Sequence, residues 1–255
     1  MDRFVYTLLN GNIEGSVPRL QMTNEMANLS TTGFKRSFVN ATNAMKIVGP
    51  GFDSRFAPVS SPMDRVSLQE GPRMVTGNPL DIAMNGNTLL GVTAPNGDLA
   101  FTRRGDMRVN SAGQLEIGTG QTVRGQNGIL SVPPGYALEI AGDGSVYANP
   151  LDKTTPGAQI LVGQLLLRDA SGTTVERRED GLFKPGGDKT PGGGDFKPGN
   201  TAPSISNGTL EGSNVSAIEV MVRLLDSSRS FEAQMRFIKE GSSIDEAGSS
   251  MMKGS

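Results

Sequence analysis

Residues 213–240 carry two apolar stripes at once, and that doubling narrows the possible folds more than any other feature of the chain. Val215, Ile218, Val222 and Leu225 recur at three- and four-residue spacing over the first half. Met221, Leu224, Ser228, Phe231, Met235 and Ile238 form a second series that runs further. A helix resting on one neighbour needs a single apolar face, so two faces point to contacts on two sides, as in a bundle. Ser216-Ala217-Ile218-Glu219 fits a capping box ahead of the run, with Asn214 or Ser213 as other possible caps. A C-terminal helix is therefore expected within residues 210–255.

The other end of the chain repeats the theme more weakly. Val5, Leu8, Leu9, Ile13, Leu20 and Ala27 fall within roughly one 140° arc at about 100° per residue, up to the stop at Ser30-Thr31-Thr32-Gly33. Gly11 and Gly15 each cost such a helix about 1 kcal/mol, and Pro18 about 3 kcal/mol unless it begins a fresh segment. A kink near residues 15–18 is expected. Residues 1–48 then form an N-terminal helix and its connection.

Between the ends the period changes to short alternating or apolar runs broken by turns, the mark of antiparallel β-structure. Leu80–Met84 stops at Asn85-Gly86, and Leu89–Thr93 stops at Pro95-Asn96-Gly97. Runs follow at 114–117, 129–132, 137–140 and 145–148, with Asp143-Gly144 as a hairpin signal. A last strand is expected over 159–167, before a polar hairpin to Thr174-Val175. The β-rich domain spans residues 79–183. Residues 49–78 read as an extended Pro, Gly and Ser-rich linker. Residues 184–209 hold Lys184-Pro185-Gly186, Gly192-Gly193-Gly194 and Lys197-Pro198-Gly199, a flexible loop and return linker. No GK[ST] follows those glycines, so a phosphate loop is not expected. The fold class is α+β.

Absences restrict the chemistry. The chain has no His and no Cys, which removes Ser-His-Asp and Cys-His triads, imidazole or thiolate zinc sites, and disulfides. Carboxylate-pair hydrolysis, Ser-Lys chemistry and oxygen-ligated metals stay open, although no cofactor or metal is expected. A net charge of −2 without a basic block argues against nucleic acid. No apolar run is long enough to span a membrane. Arg3 followed by Asn10, Gly11, Asn12 and Glu14 makes no signal-peptide core, so no cleaved Sec signal is expected.

Size connects the two kinds of segment. A domain of about 160 residues is roughly 40 Å wide, whereas a helix over 213–242 is about 45 Å long. Each terminal helix would overhang the β-domain. Isolated broken helices bury too little to offset chain entropy, so both are expected to order on assembly with other copies. Pairing of the two helices within one molecule is the simpler alternative.

Several motifs resemble the bacterial flagellar rod and hook family in the right order along nearly all of the chain. Asp2 to Tyr6, Asn24-Glu25-Met26-Ala27-Asn28 and Thr32-Gly33-Phe34-Lys35 are similar to its N-terminal signature, Asn-Asn-Leu-Ala-Asn before Thr-x-Gly-Phe-Lys; Glu25 and Met26 depart from it. Pro79–Gly86 resembles Leu-Asp-Val-Ala-Ile-x-Gly, Phe101–Asp106 resembles Tyr-Thr-Arg-x-Gly, and Asp143–Val146 a later Asp-Gly turn. Leu210-Glu211-Gly212-Ser213-Asn214-Val215 and Arg229-Ser230-Phe231-Glu232 resemble Leu-Glu-x-Ser-Asn-Val and Arg-x-Phe-Glu. Within the family the C-terminal motifs are most similar to the proximal-rod type, with a distal-rod or hook-family paralogue as the alternative.

The resemblance implies a non-enzymatic subunit of the flagellar basal body, exported by the flagellar type III apparatus to the periplasm. It also implies assembly with other rod proteins and copies of itself through a coiled-coil-like bundle that transmits torque. Expected interface residues are Val5, Leu9, Ile13, Leu20, Asn24, Met26 and Asn28 at one end. At the other they are Val215, Ile218, Met221, Val222, Leu224, Leu225, Phe231, Met235 and Ile238. Asp81 is read as a turn or cap residue before a metal ligand. Arg103 and Arg104 are open to a neighbouring subunit, an anionic glycan, solvent or an internal partner. Gly33-Phe34 ends and anchors the first helix. A reading of another class is a glycan-binding β module or a carboxylate-pair glycosidase. Scarce aromatic platforms, and carboxylates that sit mostly in turns, disfavour it.

Overall fold

The computed structural model describes residues 16–38, 42–46, 56–60, 65–150, 159–187 and 194–253. The chain divides into two compact units: a β unit of residues 28–38 and 64–215, and a second unit of residues 1–27, 39–63 and 216–255. The α+β class follows from their contents.

The β unit is antiparallel throughout its strand pairs. Its largest sheet has five strands in the order Leu167–Asp169, Thr88–Thr93, Leu99–Thr102, Phe183–Pro185, Val175–Arg177. Alternation along Thr88–Thr93 splits the core in two. Leu90 and Val92 join the main cluster with Ile82, Ala100 and Ile140, while Leu89 joins Phe101, Phe183 and Phe196 in the second. Successive side chains on a strand face opposite sides, so one sheet can hold both clusters.

A three-stranded sheet, Tyr136–Ile140, Ser145–Pro150, Ile160–Gln164, completes the main core. Its first turn is Asp143-Gly144, with Gly144 at φ 85° and the Ser145 amide donating to Asp143 Oδ1 at 2.9 Å. The run expected as one strand over 159–167 serves two sheets. Ile160–Gln164 pairs in the three-stranded sheet, and Leu167–Asp169 pairs with Thr88–Thr93 in the five-stranded one. Leu165 and Leu166 bridge the change by donating to Gly144 and Arg124 carbonyls. The polar hairpin expected next is a correction. Leu167–Asp169 and Val175–Arg177 occupy opposite edges of their sheet, so they do not pair.

The Gly/Pro-rich stretch is tied down where it is described. Phe196 is buried edge-on to Phe101, with centroids 4.9 Å apart; burial of an aromatic ring outweighs the freedom of its Pro-Gly surroundings.

The second unit holds two helices among its described residues, α1 (Ser16–Ala27) and α2 (Ala217–Lys253), and a strand pair Thr42–Lys46 with Phe56–Ser60. That pair falls partly in the stretch whose composition reads as extended linker. Helix α2 has 37 residues, about 56 Å at 1.5 Å per residue. Ser216 caps it: its Oγ accepts from the Glu219 amide at 3.5 Å and its carbonyl from Val220 at 3.0 Å. Helix α1 has only 12 residues. Pro18 lies in its first turn, where the missing N–H costs no helical bond. Of the N-terminal helix expected from the sequence, Ser16–Ala27 is described; the part expected before Ser16 lies outside the described residues.

Candidate assembly face and its anchoring node

Helix α2 has two unlike sides. Val220 is buried, and Ala217, Leu224, Ser227, Phe231, Gln234 and Ile238 are half-buried, a three-four repeat along one covered face. Ile218 (77% exposed), Met221, Val222 and Leu225 (59%) lie open. At about 100° per residue they gather on the opposite side of the helix. Met235 is exposed at the flank, and Phe237, Ile244 and Met251 are exposed further along. The second of the two seams legible in the sequence therefore divides between the two sides. Leu224, Phe231 and Ile238 belong to the covered face, while Met221 and Met235 are exposed.

The N-terminal residues divide similarly. Leu20 is 70% exposed and Asn24 is exposed, whereas Met22 and Glu25 are buried and Met26 is half-buried. The arc counted through residue 20 thus does not mark the covered face of α1, which Met22 and Glu25 set. Glu25 Oε2 accepts from Arg223 Nη1 at 3.2 Å, and the Arg19 guanidinium stands 4.6 Å from the Phe231 ring centroid. Residue numbers rise on one helix as they fall on the other, so α1 and α2 run antiparallel. Val5, Leu9 and Ile13 lie outside the described residues. Asn28 and Val215 are half-buried in the β unit.

Sequence reasoning missed the most constrained polar group in the β unit. Lys35, Arg103 and Glu211 are buried together. Glu211 Oε1 accepts from Lys35 Nζ at 2.5 Å and the Gly71 amide at 2.9 Å, and Oε2 accepts from Arg103 Nε at 2.8 Å. Two cations share one carboxylate. The excess positive charge is spread over backbone carbonyls: Lys35 donates to Gln69, and Arg103 to Met84, Gly86 and Thr88. Burial pushes the Lys35 ammonium below the ordinary lysine range, helped by the Arg103 guanidinium and opposed by Glu211. Each charge comes from a different signature motif, Thr-Thr-Gly-Phe-Lys, Phe-Thr-Arg-Arg-Gly and Leu-Glu-Gly-Ser-Asn-Val. Their convergence is the signal that could have identified the node.

The same place ties two segments of the β unit, residues 33–36 and 211–214. Gly33 N donates to Glu211 O at 2.7 Å and Asn214 N to Phe34 O at 3.3 Å. Asn214 Oδ1 accepts from Arg36 N at 2.7 Å, and its Nδ2 donates to Ser67 and Gln69 carbonyls. Gly33 has φ +69°, and a Cβ there would lie 2.4 Å from the Arg103 carbonyl oxygen. Only glycine fits.

The other candidates have internal partners. Asp81 accepts from Asn78 Nδ2 at 3.0 Å in a turn, and Arg104 pairs with Asp106 at 2.5 Å. A cleft of about 610 Å³ lies among Asp143, Gln164, Arg168, Asp169, Asp195 and Pro203. Its carboxylates hold turns and loops: Asp143 accepts from Ser145, Asp195 pairs with Arg168 at 2.7 Å, and Asp169 accepts from Ser171 and Thr201. Burial raises the Asp169 carboxyl, but bonds from Ser171, Thr201 and Asn200 outweigh it and hold the group below the usual range. Among the described residues no group of three metal-ligating side chains occurs, and no helix is long and apolar enough to cross a membrane.

Comparison with known proteins turns on the regions just described. The family model described as flagellar basal body rod FlgEFG protein C-terminal matches residues 206–251. The model described as flagellar hook protein FlgE/F/G D1 domain matches residues 83–148. Between them they take in Arg103 and Glu211. The chain is 34% identical over 247 residues to the flagellar basal-body rod protein FlgF of Salmonella typhimurium, covering 96% of this chain and 95% of that one. Identity to the Escherichia coli protein of the same name is 33% over the same shares. The flagellar basal-body rod protein FlgG of Buchnera aphidicola is 28% identical over 241 residues, covering 85% and 87%.

Proposed function

Given that the chain belongs to the FlgF family of flagellar basal-body rod proteins and is a structural subunit of the flagellum, we propose that it joins the rod through the exposed apolar side of α2. The family is a structural class, found in the basal body with other rod and hook components. The observation that carries the proposal is the patch of Ile218, Met221, Val222 and Leu225, opposite a face that is already covered. Covering four half-exposed side chains of this kind yields about 1 kcal/mol each, hence about 4 kcal/mol per contact before association costs. A tube repeats that contact in every subunit. The α1–α2 pair would be one strand of a coiled-coil-like bundle formed with copies of this chain and neighbouring rod proteins. The node at Lys35, Arg103 and Glu211 would stiffen the β unit under torque. Export through the flagellar type III apparatus and assembly in the periplasm complete the reading, supported by family membership.

The test is a Leu225→Asp chain expressed in a strain lacking the wild-type protein. Motility and its presence in purified basal bodies should be lost, while the purified protein keeps wild-type circular dichroism. A motile strain with the variant built into its basal bodies would sink the proposal.

A further inference from the structure

Among residues of the second unit whose side chains are described, only Met22, Glu25 and Val220 are buried. One of the three is a carboxylate. A lone buried charge in a helix pair is costly unless it is paired, and Glu25 is paired twice. Oε2 accepts from Arg223 Nη1 at 3.2 Å, and Oε1 from Gln21 Nε2, one turn back on α1, at 3.3 Å. Arg223 lies 3.9 Å from Glu219 on its own helix. Glu25 also stands where the motif this chain resembles carries Asn.

We propose that Glu25 and Arg223 are a register-determining pair, selecting the alignment of α1 on α2 and rejecting helices that lack a cation at that point. The proposal rests on the assembly reading only for its consequence in the rod. Consider a slip of four residues, about one turn. In one direction Glu25 comes opposite Glu219, a like charge; in the other it meets Ser227, which carries no charge. The same slips move Arg19 from the Phe231 ring to Ser227 and to Met235, respectively. A smooth apolar seam would tolerate such slips, since every turn presents a similar surface. A single polar position in a seam fixes register at some cost in stability, and a mismatched charge supplies the repulsion that specificity needs.

The test is a charge-swap cycle in the full chain. Glu25→Arg and Arg223→Glu should each speed amide hydrogen exchange over residues 20–27 by about tenfold, the scale of a coupled buried pair. The double swap should restore most of the protection. A Glu25→Leu/Arg223→Leu chain should keep its protection, because apolar replacement of a buried pair is tolerated, yet complement motility less well than the double swap. A double swap no better protected than either single variant overturns the pairing. Full motility of the double-Leu strain overturns the register role. Exchange is read on the unassembled protein, so failure there is distinct from failure of the assembly face, which Leu225→Asp reads.

Discussion

Replacing Glu211 by Gln strands two buried cations with one substitution. The side-chain volume is kept, so the effect is electrostatic. Removing one partner of a buried ion pair costs about 3–5 kcal/mol. Here the lost carboxylate neutralised both Lys35 and Arg103. Two features moderate the loss: Arg103 retains the carbonyls of Met84, Gly86 and Thr88, and Lys35 can shed its proton, as burial already favours. About 4 kcal/mol remains, which at 2–4 °C per kcal/mol lowers the β-unit melting temperature by about 8–16 °C. Lys35→Met should cost only about 1–2 kcal/mol, because it leaves the Arg103–Glu211 pair neutral and bonded. The pH response has a definite sign. With Glu211 gone, the folded pKa of Lys35 falls further beneath its unfolded value of 10.5. The unfolded chain then binds more protons in that window, and the stability of the variant rises with pH. Scanning calorimetry of the three proteins between pH 6 and 9, a range of about three units beneath that value, reads both effects. A Glu211→Gln melting point within about 2 °C of wild type, or equal costs for Glu211→Gln and Lys35→Met, would refute the shared-carboxylate account.

Two further outcomes follow from the β unit. A Cβ at Gly105 would lie 1.8 Å from the Ile82 carbonyl oxygen, so Gly105→Ala should destabilise by about 3 kcal/mol or more, read as a fall in the urea midpoint. Asp169, held below its ordinary 3.8, contributes stability that is present above that pH and lost as pH falls through the folded value. Amides of Ser171 and Thr201 should lose exchange protection in acid, and Asp169→Asn should show the same loss at neutral pH; unchanged protection in that variant would contradict the bonding seen.

Helix α2 was legible because its signals are local: Ser216 at the cap and apolar residues at fixed spacing. Asp143-Gly144 was legible for the same reason, since turn chemistry resides in two adjacent residues. The sheet change at Leu165 was not, because Ile160–Gln164 and Leu167–Asp169 look alike as apolar strand segments and differ only in partners distant in sequence. The node was invisible to periodicity. Lys35 and Glu211 lie 176 residues apart, and isolated charges ordinarily face water. Glu25 was visible as a departure from a motif, but burial beside Arg223 depends on the fold. The covered face of α2 was read in part, with covered and exposed residues mixed in the second seam, because both spacings fit one helix until a neighbour selects a side.

The ties between residues 33–36 and 211–214 have a mechanical consequence. Numbers rise together along both segments, from Gly33–Glu211 to Arg36–Asn214, so the pair is parallel. The chain leaves toward residue 27 at the beginning of one segment and toward residue 216 at the finish of the other. Tension between those exits pulls the segments lengthwise past each other, as in a lap joint, and strains every bond together. A hairpin pulled by its free ends opens one rung at a time; this joint resists until all its rungs give way at once.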